Sequence, residues 1–133
     1  MPPTPIPIER TLDGTIGVEV LELGEELARG RVPVTDRIKQ PMGLVHGGIF
    51  AAIAESLASA ATFQAVYGDG MVAVGLSNHT SFVRPMLEGN VNAEARRRHR
   101  GRTTWLWEVD CTDDEGRLCA LVRVTMAVRP APA

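Results

Sequence analysis

The sequence predicts an α+β domain in which one long apolar helix is wrapped by a curved antiparallel sheet of five to six strands. Three observations carry this. In Gln40–Tyr67, QPMGLVHGGIFAAIAESLASAATFQAVY, only Glu55 bears a formal charge, and nothing but glycine and proline at its start breaks a helical run. Two β-patterned segments precede it and four follow. The connections within each group are of hairpin length, which makes neighbours antiparallel. A helix and a sheet that each have an apolar face bury them against one another.

Taken in order, residues 1–14 begin MPPTPIPIER, a proline-rich stretch expected as a loosely ordered arm with no signal-peptide pattern. A single domain is expected over residues 15–133, long enough to bury a core. Thr15–Leu23 alternates Ile16, Val18 and Val20 with polar neighbours, the period of a half-buried strand. Gly24–Glu26 turns the chain into a partner strand, Leu27–Val34, and Asp36–Gln40 is a polar connection. Pro41, Gly43, Gly47 and Gly48 place the helix start at Gly47 or Gly48, and Gly68-Asp69-Gly70 ends it by Tyr67. Met71–Val83 is a long strand closed by Arg84-Pro85 and a turn near Glu88-Gly89. Asn90–Arg100 follows, then a turn or bulge at Gly101. Thr103–Cys111 carries Trp105 and Trp107 on one face as core or interface anchors. After a turn at Asp113–Gly116, Leu118–Val128 is the last, β-branched strand.

The helix is long enough to cross a bilayer, but Glu55, Ser56, Ser59, Thr62 and Gln64 interrupt it and no charge clusters flank it, so it reads as a core helix. That leaves Glu55 as a carboxylate expected to be buried with no lysine or arginine near in sequence. Such a group either works or is capped by backbone donors. Ser59 lies one turn on, on the same side. Before the helix, Gln40-Pro-Met-Gly-Leu-Val-His46-Gly47-Gly48 joins a helix N-terminus to glycines. Free N–H groups, a positive dipole end and close backbone approach suit an oxyanion. There His46 and Gln40 would orient substrate or water; alternatively, His46 simply caps the helix.

A net charge of −2 excludes a general polyanion binder. Against it stands Arg96-Arg-Arg-His-Arg-Gly-Arg102, five arginines in seven residues, which reads as an anion site, a solvated strand face or an RNA patch. Strand alternation predicts Arg96, Arg98 and Arg100 on one side and Arg97 on the other. Cys111 and Cys119 have no metal-ligand spacing and form no disulfide framework, so they are expected as buried, reduced thiols of a cytoplasmic protein.

The pattern Q-x(5)-H-G-G-x(7)-E-x(3)-S, with VHGG at Val45–Gly48, AESLAS at Ala54–Ser59, Val83-Arg84-Pro85 and the basic Arg100-Gly-Arg102, resembles the hotdog-fold acyl-CoA thioesterases. The likeness spans about Thr15 to Val128. It is to the PaaI-like branch, related to the phenylacetate-pathway, hydroxybenzoyl-CoA and dihydroxynaphthoyl-CoA enzymes. The resemblance implies a hotdog fold and hydrolysis of an aromatic or medium-chain acyl-CoA to free acid and CoA. It makes Glu55 the nucleophile or general base, where other branches carry Asp. It makes the Gly47 N–H the oxyanion donor, with Gln40, His46 and Ser59 around them. It implies CoA and acyl contacts at Gly75, Phe82, Val83, Arg84, Pro85, His99, Arg100, Gly101, Arg102, Thr103 and Thr104. Where relatives often have Asn followed by an aromatic before Arg-Pro, this chain has Ser81-Phe82, with His79 nearby. No metal or cofactor is implied, coenzyme A being part of the substrate. Neither nucleic acid nor membrane is an expected partner. A homodimer with shared sites is, paired further into a dimer of dimers. Two competing expectations are a hotdog dehydratase or hydratase, whose Asn-Pro-Ile-His-type signature is absent, and a non-catalytic acyl-CoA-binding regulatory module.

Overall fold

In the computed structural model, which describes residues 5–132, a 20-residue helix α2 (Gly47–Val66) lies against a six-stranded sheet. The strands are β1 (Glu19–Leu23), β2 (Leu27–Pro33), β3 (Met71–Phe82), β4 (Asn90–Arg100), β5 (Thr104–Thr112) and β6 (Leu118–Pro130). Their order is β1-β2-β4-β5-β6-β3, and every pairing is antiparallel. This is the hotdog arrangement. β3, the strand that leaves the helix, returns to the far edge, so its outer side has no partner strand among the described residues.

The helix is buried at Ile49, Phe50, Ile53, Ala54, Leu57, Ala58, Ala61, Thr62 and Val66, pairs recurring every four residues as one face requires. Facing them, β5 buries Trp105, Trp107, Val109 and Cys111, and β6 buries Val122, Val124 and Met126. The tryptophans are therefore core side chains. Burial pushes the Cys111 thiol up to about 12 and raises that of Cys119, and both cysteines are free.

A polar link of tryptophan and threonine crosses this core. The Trp107 indole N–H donates to Thr62 Oγ1 at 2.9 Å, and that hydroxyl donates to the Ala58 carbonyl at 2.7 Å. Both side chains are fully buried. Thr62→Val keeps the volume but orphans the indole N–H, so it is expected to cost about 1–3 kcal/mol, read from the midpoint of urea unfolding.

Two elements differ from expectation. The strand expected over Thr15–Leu23 begins only at Glu19, because Leu12–Ile16 forms a short helix α1. Gly17, at φ +86°, ends that helix, and the N–H groups of Gly17 and Val18 both donate to the Asp13 carbonyl. The alternation of Ile16 and Val18 marks packing on the core across a helix end. Of the expected arm, residues 1–4 lie outside the described residues, while Ile8–Arg10 form a 3-10 turn leading into α1.

The second difference is in the arginine run. Arg97 pairs with Trp107 and His99 with Leu106, so Arg98 is the extra residue of a β-bulge. The bulge returns Arg100 to the side of Arg97. Both guanidinium carbons lie 4.9 Å from the centre of the Trp105 ring, against the alternation expected from sequence.

Candidate active site

The helix start forms as its residues dictate. His46 is the N-cap, in extended backbone, and its Nδ1 accepts the Gly48 N–H at 2.9 Å. An Nδ1 that accepts leaves the proton on Nε2, available to a ligand. Ile49 N–H is taken by the His46 carbonyl, whereas the Gly47 N–H has no acceptor among the described residues. It is thus a free donor at the positive end of a 20-residue helix. A Cβ on Gly47 would lie 2.6 Å from the exposed Phe82 ring, which would have to swing aside, so the end of β3 lies directly on the helix start.

Gln40 stands before this turn, half-buried. Its Oε1 accepts the Met42 N–H, and its backbone closes the loop to Gly43 and Leu44. The side-chain carbonyl is spent on the loop, and the NH2 is left to donate. Beyond Phe82, the N–H groups of Val83 and Arg84 donate to the Cys119 carbonyl at 2.8 and 3.1 Å, holding Val83, Arg84 and Pro85, all exposed, beside the helix N-terminus. Gly75 is also exposed, at a β3 register shift, and a Cβ there would meet no described residue within 4 Å.

Glu55 is not buried: it is exposed on the outward side of α2. The sheet covers only one side of the helix. Ala51, Ala52, Ser56, Ser59 and Ala60 beside Glu55 are small and half-covered, leaving an open face. Among the described residues no group pairs with the Glu55 carboxylate. It lines an open groove of about 380 Å³ with Asp13, Ser56, Ser59, Ala60, Phe63 and Ala73. The Ser59 hydroxyl points to Met126 Sδ at 3.6 Å. Ser56 Oγ donates to Asp13 Oδ1 at 2.6 Å. Asp13 was not singled out from sequence, where only an Asp-Gly pair in an apparent arm signalled it. On β3, Asn78 Nδ2 donates at 3.0 Å to the Ala51 carbonyl, one turn before Glu55, and binds the edge strand to this helix.

The arginines are mostly engaged. Arg96 pairs with Glu94, Arg97 with Glu26, Arg98 with Glu108 and Arg100 with Glu25. Arg102 has no ion-pair partner among the described residues and is exposed. At the same turn the Gly101 N–H donates to the Thr104 carbonyl at 2.8 Å. A Cβ on Gly101 would lie 2.9 Å from His99 Nε2. Thr103 closes the turn, its carbonyl accepting the Val128 N–H.

One chain does not unite these groups. Gly47 and Glu55 are eight residues apart on a continuous helix, about 12 Å along its axis. The register also separates the ends. Phe82 pairs with Ala120, which pairs with Cys111, at the helix-start end. Thr104 pairs with Ala127, which pairs with Val74, at the other. The chain therefore holds a donor site with Gln40, His46 and Gly47, a carboxylate groove midway along the helix, and a basic turn at the opposite end.

Known proteins share this fold. The sequence model of the thioesterase superfamily matches residues 42–120, from the helix entry into β6. Rv1847 of Mycobacterium tuberculosis, whose esterase name is provisional, is 39% identical over 126 residues, 93% of this chain and 90% of the relative. The crystal structure of a variant of the Pseudomonas aeruginosa thioesterase PA1618 superposes with TM-score 0.88 at 33% identity, covering 92% of this chain and 88% of that one. A variant of the Staphylococcus aureus thioesterase SAV0944 superposes with TM-score 0.85 at 28% identity, covering 90% and 98%.

Proposed function

Since this chain belongs to the thioesterase superfamily and is a thioester hydrolase, we propose that its substrate is the CoA thioester of an aromatic or medium-chain acid. In this reading Glu55 carries the reaction, and the chain falls in the PaaI-like branch. Proteins of this superfamily bind acyl-CoA and oligomerise. The observation that carries the reading is a pair of groups on one helix without partners among the described residues: the Gly47 N–H at its start and the Glu55 carboxylate on its open face. A thioester carbonyl set against the Gly47 N–H gains a preorganised donor as its oxygen becomes negative. The His46 Nε2–H and the Gln40 NH2 support it. Glu55 then removes a proton from the attacking water, or attacks the carbonyl carbon and forms an anhydride that water opens. The thiolate of CoA leaves by either route, and Ser59 stands one turn from the carboxylate.

The separation of about 12 Å along the helix supports a site whose carbonyl donor and carboxylate come from two copies. The open edge of β3 suits that pairing: Val74, Leu76, Phe82 and Val83 are all more than half exposed, and the outer backbone has no partner strand among the described residues. A two-fold axis there sets the helix-start end of one copy against the middle or far end of the other. It also brings a basic turn toward the donor site it lacks within one chain. Pairing of such dimers into tetramers belongs to the same proposal, as does a cytoplasmic setting suited to two free thiols. In the Staphylococcus aureus SAV0944 protein, the glutamine and the glutamate replaced by alanine in two crystallised variants lie fifteen positions apart. Gln40 and Glu55 have the same separation, which supports their reading as one site.

Release of free thiol from a panel of acyl-CoA thioesters tests the function directly. Turnover separates it from a binding module, and acid plus CoA as products separate it from a hydratase. The arginine turn gives a further prediction. Arg102→Ala is expected to raise KM for acyl-CoA severalfold and flatten its salt dependence, leaving a pantetheine thioester nearly unaffected. Arg100→Ala should do the same while also weakening the fold, since Arg100 holds Glu25 and stacks on Trp105. Equal loss on both substrates would make the turn structural.

A further inference from the structure

Asp13 stands at the junction of two depressions. One is the Glu55 groove; the other, of about 420 Å³, runs over Ile8, Thr11 and Leu12 to the same Asp13. Each has the volume of a small-molecule site. Ile8 is 62% and Leu12 65% exposed, an apolar surface beside a polar groove.

This surface is built firmly. Ser56 Oγ, on the catalytic helix next to Glu55, donates to Asp13 Oδ1 at 2.6 Å and draws the carboxylate onto α2. The Asp13 carbonyl accepts the N–H groups of Gly17 and Val18 at 3.0 and 2.9 Å. A Cβ on Gly14 would lie 2.3 Å from the Ile8 carbonyl oxygen, so glycine alone lets the 3-10 turn lie on α1. Thr11 Oγ1 donates to that same carbonyl at 2.5 Å. Ile8 and Leu12 are thus placed by a bonded network that is itself anchored beside Glu55.

We propose that this N-terminal wall is the distal half of the acyl site. The acyl chain leaves the thioester at Glu55, passes Asp13 and rests its far end on Ile8 and Leu12, so the enzyme selects extended apolar acyl groups. The occupant is argued from continuity, because Asp13 lines both depressions. The inference rests on the reading of Glu55 as the catalytic carboxylate.

The test measures kcat/KM for straight-chain acyl-CoA thioesters from acetyl to dodecanoyl in wild type, in an Ile8→Ser, Leu12→Ser double variant and in Asp13→Ala. Thermal unfolding and light scattering are run on each. In wild type kcat/KM is expected to rise along the series. In the double variant the ratio of the longest to the shortest substrate should fall about tenfold or more, as expected when a few methylenes lose apolar contact. Asp13→Ala, which releases the wall, should lower the same ratio. A merely structural wall would depress all lengths alike and leave the ratio unmoved, overturning the proposal, as would a flat wild-type series. Variants that lose a subunit contact together with a uniform loss would assign the wall to a second copy, also overturning it. Hydrolysis of every length with no effect of Glu55→Gln would instead remove the catalytic reading on which the proposal stands.

Discussion

Glu55→Gln is expected to lower thioester hydrolysis at least ~100-fold, the scale of a lost acid–base or nucleophilic group, while the protein stays folded and still binds CoA. The substitution preserves shape and removes only the charge. No fold penalty is expected, because Glu55 is exposed and makes no bond among the described residues. An exposed carboxylate without a partner contributes nothing to stability, so lost activity at unchanged unfolding midpoint reads on chemistry alone. Glu55→Ala should behave alike. Near-wild-type turnover in either variant, measured by thiol release, removes Glu55 from the reaction.

The second large effect is recovery. His46→Ala and Glu55→Ala chains, each inactive alone, should regain about a quarter of wild-type activity when refolded together. Random reassortment makes half the dimers mixed, and each mixed dimer holds one doubly damaged site and one intact site. The basis is the helix: His46 caps its start and Glu55 lies nine residues on, about 13–14 Å along the axis. Because His46 Nδ1 also caps the helix, the His46→Ala chain is expected to unfold slightly earlier, by about 1 kcal/mol or less. Mixed dimers are therefore counted independently with differently tagged chains. Mixed dimers that form and stay inactive would place both groups in one site of one chain.

Much of the architecture was legible in local pattern. The glycine cluster at 47–48 and Gly68-Asp69-Gly70 bounded the helix because capping is a local demand. Period-two alternation and turn signals located β2 to β6 closely, but the short connection from β3 to β4 forms no hairpin, since β3 pairs with β6 across the sheet. The Gln40, His46, Gly47 and Glu55 spacing was readable since all four lie on one loop-to-helix segment, where chain distance and spatial distance are tied. Reading α1 as the start of a strand failed for the same reason in reverse: five helical residues carry too little periodicity to outweigh Ile16, Val18 and Val20.

What the sequence by itself determined was therefore what a single segment imposes: an apolar helix with one carboxylate, a free donor at its N-terminus, and a sheet to cover it. The tertiary structure decided which side of that helix the sheet covers, and so that Glu55 faces outward rather than into the core. It decided that a one-residue bulge at Arg98 turns Arg100 onto Trp105 beside Arg97, and that Glu25 and Glu26 from a distant hairpin occupy those arginines. It also brought Asp13 to Ser56 across 43 residues of chain. Each of these depends on contacts between segments remote in sequence. The periodicity of one strand or helix reports how many faces it has, and only the packing of the others settles what each face meets.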